Sequence, residues 1–264
     1  MDERRTHDAA KARPARLVEA PAWEAFDPDV YVSLNYKVLH ADDASILRAG
    51  SAHFRRCLQR RDAPPPAPLS GIDVGSGANL YPALMLLPWC DEITLIDRAR
   101  ANVEWLRSHI RDYDQNWDAF WDVLCEAGPY TEIPCPRRRM RATTRVEQGD
   151  VFLLPGQHWG IGTMFFTAES ITASLDLFRE AVRCFMHSLI PGAPFAAAFM
   201  AEQRGYYVGS HSYPQCHVDE DTVREGFAAY AEEDLHVRRF RDGHALRDGY
   251  AGMILACGRR RAGR

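Results

Sequence analysis

Apolar positions along this chain recur with two periods, and the alternation between them lays out the fold. Between residues 23 and 60, Leu34, Tyr36, Val38 and Leu39, then Ile46, Leu47, Phe54 and Leu58, follow a mostly helical spacing. It predicts two helices, with Asp42 or Asp43 capping the second. The run RRDAPPPAPLSG (60–71) predicts an extended connector, because proline lacks the N–H a helix needs and clashes with the preceding turn. Beyond it, short apolar runs predict strands at GIDVG (71–75), EITLID (92–97), TRVEQGDVF (144–152), TMFFTAES (163–170) and PFAAAFMA (194–201). Amphipathic segments between them predict helices at 80–90, 99–113, 174–190 and 222–233. LHVRRF (235–240) and YAGMILAC (250–257) predict a final antiparallel pair joined by a hairpin-like loop. Strands alternating with helices imply βαβ units and a mainly parallel sheet. In the stretch between the early and late units, Trp117, Phe120 and Trp121 recur at helical spacing and predict core packing. Arg137, Arg138 and Arg139 predict a solvated loop.

Composition narrows the class. The chain has 264 residues, 46% hydrophobic and 26% charged, enough apolar surface for one large α/β core. We expect a single domain: a flexible tail (1–20), an N-terminal helical cap (21–60) and a catalytic core (61–264). The formal charge of −4 offers no basic excess for a phosphate backbone, so no nucleic-acid partner is expected. No apolar run reaches membrane-spanning length, and the N-terminus lacks a signal peptide's apolar core. Seven scattered cysteines without a CxxC pair fit a reduced compartment, so a cytoplasmic location is expected. His211, Cys216 and His217 lack a fourth ligand, and no metal is expected. Oligomeric state is left open between monomer and dimer.

The sharpest motif is Asp73-Val74-Gly75-Ser76-Gly77, where a strand ends, glycines turn the chain and a helix follows. Glycines there let a ligand approach backbone N–H groups at the helix start. Asp97 ends the next strand twenty residues past Gly77, where a carboxylate can accept from both hydroxyls of a ribose. The pair predicts an adenosine-containing cofactor. A third glycine is missing, since Leu80 holds its place, which disfavours a dinucleotide; no phosphate-binding P-loop occurs. An acid two residues before the first glycine suits a cofactor with an amino group, which S-adenosyl-L-methionine (SAM) carries.

Four blocks carry a family resemblance: FDPDVYVSLNY (26–36), IDVGSGANLY (72–81), IDRARANVEWL (96–106) and GYYVGSHSYP (205–214). With them the chain, from about residue 26 to 257, resembles the small-molecule methyltransferases that include nicotinamide, phenylethanolamine and indolethylamine N-methyltransferases, as a bacterial member. The resemblance implies the Rossmann-like class I methyltransferase fold: a seven-stranded, mostly parallel sheet with an antiparallel C-terminal strand, helices on both faces and an N-terminal helical cap. It implies that Tyr31 and Tyr36 lie against the methionine part of SAM, where aromatic faces attract the sulfonium. Gly75, Ser76, Gly77 and Tyr81 are expected to line the methionine and ribose, Asp97 to bind the ribose and Asn102 a nearby cofactor edge. Asp150 and Val151 are expected to bracket adenine, with Ala168 in the loop after the fourth strand. Tyr207 is expected at the acceptor.

One departure concerns the acceptor. Amine-methylating members place an acid where Met200 stands here. Glu202, two residues on, and Glu169 are the candidate replacements, and with Tyr31 and Tyr207 they form the expected catalytic set. His40 is a weaker candidate base. The leading expectation is methyl transfer from SAM to a small-molecule nitrogen. The alternative is a cyclase in which SAM's own amine attacks, releasing methylthioadenosine and azetidine-2-carboxylate. A third is a non-catalytic SAM-binding protein.

Overall fold

The computed structural model describes residues 23–59, 69–203, 205–241 and 250–262. The expected tail, the proline-rich part of the connector and most of the final hairpin loop lie outside them.

Two helices open the described chain. α1 (Pro28–Asn35) starts where Asp27 accepts from the N–H groups of Asp29 and Val30 at 3.1 and 3.0 Å, with Pro28 in the first turn. α2 (Ala41–Leu58) follows. His40 precedes it with extended backbone and makes no side-chain cap. Asp42 and Asp43, expected as caps, instead lie inside the first turn and are 2% and 1% exposed. They sit one turn before Ile46 and Leu47, on the stripe that α2 turns to the core, so their carboxyls point inward.

The core is a seven-stranded sheet, built from β1 (Leu69–Val74), β2 (Cys90–Asp97), β3 (Thr144–Gln148), β4 (Ile161–Phe165), β5 (Pro194–Met200), β8 (His236–Phe240) and β9 (Met253–Arg259). Its order is β3-β2-β1-β4-β5-β9-β8, parallel from β3 to β5, with β9 antiparallel to both neighbours. Along β5, Phe195, Ala197 and Phe199 enter one apolar cluster, and Ala196, Ala198 and Met200 enter the other. A strand buried on both faces needs apolar residues at every position, which is why these strands read as continuous apolar runs. α2, α3 (Tyr81–Leu86) and α5 (Asp118–Cys125) supply the first face through Leu47, Phe54, Leu84 and Phe120. α7 (Leu175–Ser188) and α8 (Glu220–Ala228) cover the second through Phe178, Phe185 and Phe227. Between β2 and β3 come α4 (Arg100–His109) and α6 (Pro136–Thr143).

Trp117 and Phe120 are fully buried, and Trp121 is 8% exposed, as helical spacing predicts for core. Two further expectations need correction. The arginine run is in α6, not a loop: Arg137 pairs with Asp118 at 2.8 Å and lies over the Tyr113 ring, and Arg139 donates to the Cys90 carbonyl. β4 stops at Phe165 rather than near 170, because Phe166 adopts φ 55, a left-handed backbone that no strand continues through. A small hairpin, β6 (Gly205–Val208) and β7 (His211–Pro214), stands apart from the main sheet.

Candidate active site

The chain after β1 turns on two glycines, Gly75 at φ 65 and Gly77 at φ 55. The N–H groups of Gly75 and Ser76 both donate to the Ile96 carbonyl, at 2.7 and 3.0 Å, which locks the turn to the end of β2. A Cβ at Gly75 would lie 2.1 Å from Cγ2 of Thr167, so glycine here is needed for close approach as well as for conformation.

Asp97 closes the other side. Its Oδ2 accepts from the Gly77 N–H at 2.8 Å, and Oδ1 accepts from the Ala99 N–H at 2.8 Å and Asn102 Nδ2 at 3.1 Å. Burial raises its carboxyl from the ordinary value, and these donors pull in the opposite direction. Asn102 lines the same cleft and is 3% exposed, and its Oδ1 accepts nothing. A buried acceptor without a donor marks a place where a ligand hydrogen belongs.

These groups line a cleft at the carboxyl ends of β1, β2 and β4, with about 840 Å3 of empty space including its open mouth. Asp150 and Val151 form its far wall; Asp150 caps a single turn by accepting from the Phe152 N–H at 3.0 Å. The cap supplies Trp23, Phe26, Tyr31 and Tyr36. The Tyr31 and Tyr36 rings meet edge to face at 5.6 Å, with their hydroxyls 3.4 Å apart. The cap is pinned to the core by Trp105 Nε1 donating to Asp29 at 3.0 Å and Asn116 Nδ2 donating to the Tyr36 carbonyl at 2.9 Å.

A second chamber adjoins the cleft, with about 450 Å3 of empty space including its open side. Tyr31, Tyr36, Phe166, Ser170 and Tyr206 line both. Its own walls are Asn35, Asp43, Met200, Gln215 and Met253. Met200 and Met253 face each other across the β5–β9 pair. Asp43 Oδ1 accepts from the Tyr81 hydroxyl at 3.1 Å. Burial, helped by the neighbouring Asp42 charge and opposed by the Tyr81 hydrogen bond, raises the Asp43 carboxyl to about 7.

The structure therefore brings together Tyr31, Tyr36, Gly75, Ser76, Gly77, Asp97, Asn102, Asp150 and Val151. It places the other expected residues elsewhere. Tyr81 lies one layer back, stacked on Phe120 at 5.4 Å and lining neither space. Ala168 is wholly buried off the cleft, and Thr167 takes the wall position. Asp73 points behind the turn, where its Oδ1 accepts from Thr163 Oγ1 at 2.7 Å; it does not face the cleft. Glu169 is wholly buried and accepts from the Met200 N–H at 3.0 Å, tying two strand ends together. Glu202 follows the end of β5 at φ 56 and pairs with Arg239 at 2.7 Å, because the strand does not continue to carry it inward. Tyr207 is 70% exposed; alternation along β6 turns Tyr206 inward instead. His40 lines neither space. Among the described residues no group of His, Cys, Asp and Glu is arranged to hold a metal.

Asp43, Gln215 and Tyr206 line these spaces but are not among the site residues the sequence predicts. The signal for Asp43 was present: a carboxylate four residues before Leu47, within an apolar stripe, is badly placed for a solvent-facing cap.

A glycine turn after β1, a strand-end carboxylate after β2, an orphaned acceptor and an aromatic cap over a sheet of this order define a SAM-dependent methyltransferase. The sequence profile of the NNMT/PNMT/TEMT family matches residues 16–251, and the chain belongs to that family. It is 24% identical over 280 aligned residues to phenylethanolamine N-methyltransferase of Sus scrofa, covering 97% of this chain and 95% of that one. To the Homo sapiens enzyme of the same name it is 25% identical over 248 residues, 86% of each chain. Among solved structures, a SAM-dependent methyltransferase from Methanosarcina mazei matches with a TM-score of 0.52 at 9% identity, over 75% of this chain and 95% of that one, a likeness of fold.

Proposed function

We propose that this enzyme transfers the SAM methyl group to a nitrogen of a small-molecule acceptor held in the second chamber. The observation that carries the reading is the shared wall: Tyr31, Tyr36, Phe166, Ser170 and Tyr206 border both spaces, so two molecules can meet there. In this reading Gly75, Ser76 and Gly77 offer a side-chain-free wall, Asp97 takes the ribose hydroxyls, and Asn102 Oδ1 gains its missing donor. Asp150 and Val151 flank the adenine. The bound cofactor supplies an electrophilic methyl on a sulfonium. The protein's part is alignment and exclusion of water, which suits a site walled by aromatic rings and two methionines. Tyr31 and Tyr36 favour the cation through their ring faces. A reaction of this kind needs few acid–base groups, consistent with Glu169 and Glu202 lying off both spaces. The second chamber supports a two-substrate reaction over intramolecular cyclisation, which needs no room for another molecule.

The test is mass spectrometry of purified enzyme with SAM alone, then with a panel of small amines. Expected is S-adenosylhomocysteine formed only with particular amines. Methylthioadenosine released from SAM alone would overturn the reading in favour of cyclisation.

A further inference from the structure

The second chamber has an asymmetric lining that bears on the acceptor, given the reading above. Its strand-end wall is apolar: Met200 and Met253. Ser170 and the hydroxyls of Tyr31, Tyr36 and Tyr206 belong to the wall shared with the cleft; on the walls of its own, Asp43 comes from the first turn of α2 and Gln215 from the segment after β7. Asn35 is also polar, but its Nδ2 already donates to the Tyr31 carbonyl at 2.9 Å.

Gln215 is 2% exposed, and neither Oε1 nor Nε2 has a hydrogen-bond partner. A buried primary amide with both ends open carries a desolvation cost of a few kcal/mol, which native proteins seldom leave uncompensated. Gln215 is a wall residue of the chamber, and the chamber is the adjoining space from which a partner can reach it. Asp43 is 1% exposed and accepts one hydrogen bond, from Tyr81. A carboxylate can accept about four, so acceptor capacity is left over. Tyr81 in turn is wholly buried and stacked on Phe120, which fixes its hydroxyl and hence the carboxyl it touches. Asp42, the nearest other carboxylate, is engaged with the Tyr250 hydroxyl.

We propose that Asp43 and Gln215 are the specificity-determining pair of the acceptor site, and that the acceptor is a small amine bearing a second polar group with both donor and acceptor character. Asp43 takes the amine N–H, and Gln215 pairs with the second group. The aromatic wall of Tyr31, Phe166 and Tyr206 favours a flat body between the two. Burial leaves the unliganded Asp43 poorly solvated, so a nitrogen-bound hydrogen gains more there than at an exposed carboxylate.

Three probes separate the two contacts: 3-(aminomethyl)benzamide, benzylamine and benzamide, titrated by calorimetry into enzyme saturated with S-adenosylhomocysteine. The wild-type enzyme is expected to bind the first at least about tenfold more tightly than either of the others. Asp43→Asn is expected to weaken both amine-bearing probes about tenfold and leave benzamide unchanged. Gln215→Leu is expected to weaken both carboxamide probes and leave benzylamine unchanged. Affinity for S-adenosylhomocysteine, measured first, should be the same within about twofold in all three proteins, which reports an intact fold. Equal binding of all probes by the wild-type enzyme, or variants that bind them as the wild type does, overturns the proposal. Failure of the wild type to bind S-adenosylhomocysteine overturns the cofactor reading beneath it, a distinguishable result.

Discussion

At the scale of single residues, the cofactor cleft is organised by one side chain. Asp97 orders the Gly77 N–H, the start of α4 and the Asn102 amide at once, so its carboxylate is engaged before any ligand arrives. Preorganisation of this kind lowers the ordering needed on binding. Removing it takes away charge-assisted hydrogen bonds worth about 1.5–3 kcal/mol each. Asp97→Ala is therefore expected to weaken SAM binding roughly 10–100-fold by calorimetry. Asn102→Ala removes a neutral acceptor and should cost less, about 0.5–1.5 kcal/mol. Affinity unchanged in Asp97→Ala would remove this residue from the cofactor site.

At the scale of elements, the turn between β1 and α3 is where backbone conformation and packing can be separated. Both glycines lie in the left-handed region, which costs a residue with a Cβ about 1–2 kcal/mol. They differ in surroundings: a Cβ at Gly75 meets Thr167 at 2.1 Å, whereas at Gly77 nothing lies closer than 3.9 Å. Gly75→Ala should lose about 3 kcal/mol or more in chemical denaturation, Gly77→Ala only about 1–2. Equal losses would mean that strain alone decides. This turn was readable in the sequence because glycine is the residue a positive φ selects. The parallel strands were readable because burial on two faces demands unbroken apolar runs. The acceptor chamber was harder to read. Its walls come from α1, α2, β5, β9 and the segment after β7, a juxtaposition that depends on how α2 lies over the sheet. Asp42-Asp43 fits a helix cap locally, and only tertiary packing turns both inward. Glu202 failed as a candidate for a similar reason: period-two alternation ends where the strand does, and the chain leaves β5 at Met200.

At the scale of the whole molecule, the sites are bordered by buried carboxyls that oppose folding when they ionise. Asp73, fully enclosed beneath the glycine turn, is raised from 3.8 to about 7, first by burial, against the Thr163 hydrogen bond and with the Asp97 charge adding to the rise. A folded-state value above the unfolded one means the native state holds the proton longer. Its contribution to stability is complete below about pH 3.8 and is lost as pH climbs through about 7. His53 has the opposite sign: burial lowers it from 6.5 to about 4, so its contribution is lost as pH falls through that window. Total stability mixes both trends, along with that of Asp43, which shares the sign of Asp73. A difference between two proteins isolates one group. Asp73→Asn keeps a side-chain oxygen for Thr163 and removes the titration. The melting temperature of Asp73→Asn minus that of the wild type is therefore expected to rise between about pH 4 and 7, then level off. Each 1 kcal/mol is worth roughly 2–4 °C in a chain of this size, so the rise should be several degrees. Because His53 and Asp43 are common to both proteins, they cancel from the difference unless coupled to Asp73. A difference that stays flat across this range would show that Asp73 ionises in the native state as readily as in the unfolded one.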